Sequence, residues 1–175
     1  MNAHTHLSGF REKLIEHLFI GELLKCSWKE QTGAVEVSKP EVDRRGYDLI
    51  VESGTIIRHV QLKTTYKGGK AAVQKVHIAL AEKPSGCVVW IYFDEETLEL
   101  GPFLFFGGPA GCPLPTLQGM KIAKHTKGNK DGLKAERPEI REVPKRQFKR
   151  YDSIREVYDC LIRNENPPSR HQVRD

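Results

Sequence analysis

Residues 87–93 read CVVWIYF, seven positions in a row without a charged side chain. Successive side chains of a strand point to opposite faces. A run that is apolar at nearly every position therefore reads as a strand covered on both sides. The rest of the chain must supply those two covering layers. With 175 residues it is long enough to do so as one domain.

The flanking segments fit this requirement. Ser8 stands where it can cap a helix reaching about residue 25. Phe10, Leu14, Ile15, Leu18, Phe19, Ile20, Leu23 and Leu24 wrap most of its circumference, which predicts a largely buried helix. A short strand is expected at 34–38, a strand at 47–52, a turn at Ser53–Gly54 and a β-rich strand at 55–64. Residues 75–82 are ambiguous between strand and helix. Further strands are expected at 98–106, at 121–125 and, as an edge strand stopped by Pro144, at 139–143. Asp152 or Ser153 caps a final amphipathic helix to about residue 163. The order of helix, strands and helix predicts an α/β (α+β) fold with a mixed central β-sheet flanked by helices. The expected domain is 8–163, with flexible termini at 1–7 and 164–175.

Composition narrows the class. No apolar stretch approaches the roughly 20 residues that span a bilayer, and MNAHTHLSGFREK lacks the layout of a signal peptide. A soluble cytoplasmic protein with no membrane partner is the expectation. Cys26, Cys87, Cys112 and Cys160 lack zinc-knuckle or CxxC spacing and read as buried free thiols. The net charge is +5, yet residues 121–150 hold 11 Lys or Arg against 4 Asp or Glu. A basic segment in an otherwise mildly acidic chain suits a phosphate-facing surface.

Three polar residues interrupt the apolar pattern of the expected hairpin: Asp48, Gln61 and Lys63. Gln61 and Lys63, two apart, share a strand face with His59, while Val60 and Leu62 point the other way. Asp48 shares a face with Ile50 and Glu52, with Tyr47, Leu49 and Val51 opposite. Pairing through the turn would bring Asp48 to Gln61 and Lys63. A buried ammonium or carboxylate alone is costly. Around a divalent cation and a phosphate the three make sense. Asp48 offers an anionic oxygen, the Gln61 amide and the Leu62 carbonyl offer neutral ones, and Mg²⁺ prefers such ligands. Lys63 would orient or activate the attacking water or stabilise transition-state charge.

The pattern D-x12-Q-L-K from Asp48 to Lys63, on adjacent strands behind an N-terminal helix, resembles the PD-(D/E)XK nuclease superfamily in its Q-x-K form. The resemblance covers roughly residues 8–106. It implies a restriction endonuclease-like core and a metal-dependent nuclease that hydrolyses DNA phosphodiester bonds, a hydrolase using Mg²⁺ or Mn²⁺. It also implies that Glu16 on the first helix binds metal through water; periodicity alone leaves Glu22 as an alternative. Tyr47 stands where the motif has proline. Gln61 replaces the acidic residue and removes one negative charge from the metal site. The alternative is a catalytically inactive module of the same fold that binds nucleic acid or a protein partner.

The expected partner is nucleic acid, DNA ahead of RNA. Arg44, Arg45, Lys67, Lys70, Lys121 and Lys124 are the candidate phosphate contacts, with KGGK (67–70) read as a mobile loop near the substrate. Asp43 is a rival carboxylate. Trp90 and Tyr92 read as core. A duplex cutter is often a homodimer, although no segment of the sequence is a clear dimer signature.

Overall fold

The structure is a computed structural model that describes residues 7–42, 45–125 and 132–163. The chain runs α1 (Ser8–Lys29), β1 (Val35–Ser38), β2 (Leu49–Ser53), β3 (Ile56–Tyr66), β4 (Val73–His77) and a 3-10 turn (Ile78–Glu82). It continues with β5 (Gly86–Phe93), β6 (Leu100–Gly107), β7 (Lys121–Lys124), β8 (Glu136–Pro144), a second 3-10 turn (Lys145–Gln147), β9 (Lys149–Tyr151) and α2 (Ile154–Ile162). Among the described residues the fold is a mixed α+β arrangement of two sheets and two helices. Six strands in the order β1-β2-β3-β5-β6-β9 form the main sheet, and β4-β8-β7 form a smaller one. In the main sheet only β3 and β5 pair in parallel, and β4 with the first 3-10 turn makes the crossover between them.

All eight residues of β5 are buried. Cys87, Val89, Ile91 and Phe93 pack with Ile15, Phe19 and Leu23 of α1 and with Val157, Tyr158 and Leu161 of α2. Val88, Trp90 and Tyr92 pack on the other side with Val76, Leu80, Val143 and Phe148. Burying one large apolar side chain is worth about 1.5–3 kcal/mol, so stripping either layer from β5 costs several kcal/mol. The expected mixed central sheet flanked by helices is present. Both helices lie on one face, and the small antiparallel sheet covers the other.

Several local expectations shift. Strand β8 is the central strand of the small sheet, not an edge. Pro138 is tolerated there because the β7 partner jumps from Arg141 to Arg137, which leaves the proline inside an irregularity where no ladder donor is needed. The hairpin turn is Gly54–Thr55, since Ser53 pairs with Ile56, and Gly54 takes the positive φ (59°) that this short turn requires. Ser8 is the first helical residue, not the cap; Leu7 occupies the cap position without a side-chain bond. Helix α1 is buried along one face only, and Phe10, Leu24 and Trp28 are exposed. At α2, Ser153 accepts from the Glu156 amide and the Glu156 carboxylate reaches back, a complete capping box. Cys26 and Cys87 are buried free thiols, whereas Cys112 is exposed.

One buried cation ties the layers together. Arg58 of β3 is 0% exposed and donates through Nη1 to Ser85 Oγ (3.2 Å) and to the carbonyls of Gly108 (3.2 Å) and Pro109 (2.9 Å). Its guanidinium lies 5.5 Å from the centre of the Phe105 ring. These bonds fix the 108–112 loop against β3 without a carboxylate among the described residues.

Candidate functional site

The site grows from the place where β2 begins. Leu49 is its first residue, opposite Val60 on β3. Just before it, the Asp48 amide donates to the Val60 carbonyl (2.9 Å), and Asp48 Oδ2 accepts from the Leu62 amide (2.6 Å). The carboxylate therefore takes the position that a backbone carbonyl of a longer β2 would occupy. Asp48 lies just before the first residue of β2, an interior strand, with its carboxylate directed at the β3 backbone. Tyr47 departs from its expected face. It sits with the apolar cluster under the small sheet, and its ring meets that of His59 edge-on at 5.0 Å. The chain turns between Tyr47 and Leu49, and Asp48 is the residue at that turn.

Gly46 permits the turn. Its φ is +71°, and a Cβ there would lie 2.4 Å from the Cβ of His77. The segment leading to Asp48 is thereby held against β4. On β3, the N–H and C=O of one residue point to the same side of a strand. Since the Leu62 amide reaches Asp48, the Leu62 carbonyl faces the same edge, beyond the end of β2.

Asp48, Gln61, Leu62, Lys63, Glu16 and Gln74 line one cleft of about 470 Å³ between α1 and the main sheet. Gln61 is 8% exposed, and its Oε1 has no hydrogen-bond partner among the described residues. An amide oxygen left so costs about 1–3 kcal/mol. Lys63 and Gln61 also line a second hollow, of about 630 Å³, with Lys75, His77, Arg137 and Glu139 from the small sheet. The two hollows meet at the Gln61–Lys63 pair.

Glu16 is 6% exposed and faces the cleft, whereas Glu22 pairs with Lys25 at 2.6 Å. Oε2 of Glu16 accepts from Lys13 Nζ at 3.0 Å, and Oε1 accepts from Lys39 Nζ. Burial pushes the Glu16 carboxyl up, but the hydrogen bonds and charges of Lys39 and Lys13 outweigh it and hold it below its ordinary value. Glu16 is thus an anion with both oxygens engaged by lysines.

The structure brings Asp48, Gln61, Leu62, Lys63 and Glu16 together. The candidate phosphate contacts fall elsewhere. Arg45 lies 3.8 Å from Glu82, Lys67 3.6 Å from Glu99 and Lys121 3.3 Å from Glu142, while Lys70 and Lys124 are exposed. None of the five lines either hollow. Arg44 and the rival Asp43 lie outside the described residues. KGGK forms a hydrogen-bonded turn: the Lys67 amide donates to the Phe93 carbonyl and the Gly69 amide to that of Tyr66. The basic segment is divided between β7 and β8 of the small sheet and β9 of the main one. Sequence reasoning missed Lys13, Lys39, Lys75 and Arg137. The i,i+3 spacing of Lys13 and Glu16 was a usable signal; the other three depend on the fold.

The donor set suits a hard divalent cation in kind: one carboxylate, one unpartnered amide oxygen and one edge-facing carbonyl. No three His, Cys, Asp or Glu side chains converge on a metal position among the described residues. Nor is any helix of the described chain long and apolar enough to cross a membrane. No known family model and no curated protein matches the sequence. Among solved structures, a bacterial homing endonuclease is similar at 24% identity and a TM-score of 0.29, over 55% of this chain and 64% of that one. The match thus spans less than two thirds of that endonuclease chain, and a TM-score this low does not establish a common fold.

Proposed function

We propose that the protein is a divalent-metal-dependent nuclease of the PD-(D/E)XK kind in its Q-x-K form, acting on DNA phosphodiester bonds. The observation that carries this reading is the buried Gln61 amide oxygen, left without a donor on the cleft that Asp48 and Lys63 also line. Asp48, Gln61 and the Leu62 carbonyl would hold Mg²⁺ or Mn²⁺, with Glu16 reaching it through water. The cation, when bound, supplies Lewis-acid polarisation and a water of lowered pKa.

The chain's own residues do the rest. Lys63 orients the attacking water and stabilises negative charge that builds on the phosphoryl oxygens. Lys75 and Arg137, across the second hollow, hold the phosphates next to the scissile one. Hydrolysis joins a water oxygen to phosphorus and breaks one P–O ester bond, leaving a phosphomonoester and a hydroxyl.

A second reading is favoured by one specific arrangement: Glu16 is fully engaged by Lys13 and Lys39, and apart from Glu12 and Glu16 of α1, Asp48 is the one carboxylate lining the cleft among the described residues. On that reading the chain is an inactive module that binds nucleic acid or a protein. Incubation with Mg²⁺ or Mn²⁺ and a panel of single-stranded, duplex and branched DNA, with RNA as comparison, separates the two. Metal-dependent cleavage lost in Lys63→Ala supports the nuclease. Salt-sensitive binding without cleavage of any substrate supports the inactive module.

A further inference from the structure

Helix α1 carries a second apolar stripe that the described residues leave largely uncovered. Its buried residues Ile15, Phe19, Leu23 and Cys26 mark the core side. At 100° per residue, the opposite side holds Phe10, Leu14, His17, Gly21, Leu24 and Trp28. Their spacing alternates four and three, the spacing of the a and d positions of a heptad. Phe10 is 69% exposed, Leu24 44% and Trp28 81%, and Leu7, one heptad before Leu14, is 55% exposed. Neither Phe10 nor Trp28 meets another ring or a cation among the described residues.

We propose that this stripe is the two-fold interface of a homodimer, with the α1 helices of two copies packed antiparallel. The stripe is its own complement. Reversed end to end about the level of Phe19, Phe10 falls opposite Trp28, Leu14 opposite Leu24 and His17 opposite Gly21. Each pair joins an a position to a d position, the layer pattern of antiparallel helices. The bulky pairs are at the two ends and the glycine is at the crossing. A Cβ on Gly21 would meet nothing within 4 Å. A glycine inside a helix costs roughly 0.5–1 kcal/mol relative to alanine. A close helix crossing accounts for it where the fold itself does not.

A receptor for the ends of the stripe is present as well. Beyond the helix, Trp28, Lys29, Gln31, Thr32 and Gly33 border an open hollow of about 600 Å³. In the antiparallel pair this hollow faces Leu7 and Phe10 of the other copy. The exposed apolar side chains amount to about 500 Å² per copy, roughly 1,000 Å² for the pair, the size of a weak, reversible interface. An isologous patch of this kind closes at two copies. The inference is independent of the nuclease reading.

Sedimentation of the full chain gives the test. A dimer of the 19.9 kDa chain is expected at micromolar concentration. Phe10→Glu with Trp28→Glu should raise the dimer dissociation constant by on the order of 100-fold, the effect of removing two aromatic anchors. Both positions are exposed, so the variant should keep the wild-type circular dichroism spectrum and melt at the temperature of wild type diluted below its dimer dissociation constant. Orientation is read by disulfide trapping in a Cys112→Ser, Cys160→Ser background. Leu14→Cys and Leu24→Cys should cross-link when mixed and not when oxidised separately. A wild-type monomer at all concentrations, whether free or floating with anionic vesicles, overturns the proposal. So does self-cross-linking of each variant alone, which marks a parallel pair.

Discussion

Gln61→Glu tests the metal-centre reading in a way that does not require a substrate. The substitution restores the carboxylate of the acidic motif at a position 8% exposed. Its neighbour across the β2–β3 edge is Asp48, one step beyond the Leu49–Val60 pair. Burial and the like charge of Asp48 both raise the new carboxyl pKa, and Lys63 on the same strand face offsets part of the rise. A net rise of one unit is about 1.4 kcal/mol, so the metal-free variant should lose about 1–2 kcal/mol at neutral pH. For a chain of this length that is roughly 2–8 °C in melting temperature. The sign follows from linkage. A carboxyl whose folded pKa is raised is tolerated below its unfolded value and destabilises as pH rises through the folded one. The deficit should therefore be absent at about pH 4 and full at about pH 8. A cation bound between the two carboxylates reverses it, by about 2.7 kcal/mol at a hundredfold excess over Kd. Melting curves in EDTA and across a Mg²⁺ titration, for wild type and variant, are the assay. Equal melting temperatures in EDTA at all pH values, with no greater response to Mg²⁺ in the variant, would refute the reasoning.

Other outcomes follow from particular contacts. Lys75→Ala with Arg137→Ala should weaken DNA binding at all sequences and flatten its salt dependence by about two phosphate contacts, read from binding isotherms at several salt concentrations; an unchanged slope removes the small sheet from the substrate path. Arg58→Met leaves the Gly108 and Pro109 carbonyls without their donor and should cost about 3 kcal/mol in urea denaturation. At Glu30, burial raises the carboxyl, but bonds from Tyr158 (3.0 Å), Arg163 (2.5 Å) and Arg155 outweigh it and hold the group below its ordinary value. That contribution is present above the ordinary carboxyl pKa and lost as pH falls through the lowered one, so Glu30→Gln should remove this part of the acid-side decline. Cys112, exposed, should react first with a maleimide; Cys87, pushed up to about 11 by burial, should react only on unfolding.

Much of the fold was legible because it is local. The apolar run at 87–93 announced a strand with two covers, and its alternating residues do face two different clusters. The Gly54 hairpin and the Ser153–Glu156 cap follow from short-range backbone chemistry. Asp48, Gln61 and Lys63 stood out because charge and amide are expensive in a sheet. What the sequence could not convey is long-range. The small sheet pairs β4 with β8, elements far apart in the chain, so nothing near Pro144 shows that β8 is central. Tyr47 leaves its expected face because of a turn at Asp48 that periodicity cannot register. The periodicity of α1 showed an apolar Phe10, not that Phe10 and Trp28 would stay exposed. Lys39 reaches Glu16 from 23 residues away, and only the fold supplies that contact.

The central claim is that Asp48, Gln61 and the Leu62 carbonyl form a cation site. A crystal soaked in Mn²⁺, measured for anomalous scattering, tests it most directly. The account predicts one strong anomalous peak within coordination distance of Asp48 Oδ, Gln61 Oε1 and the Leu62 oxygen, absent in Asp48→Ala. A peak elsewhere, or none at that edge while Gln61 Oε1 is found bonded to a protein donor, would contradict it.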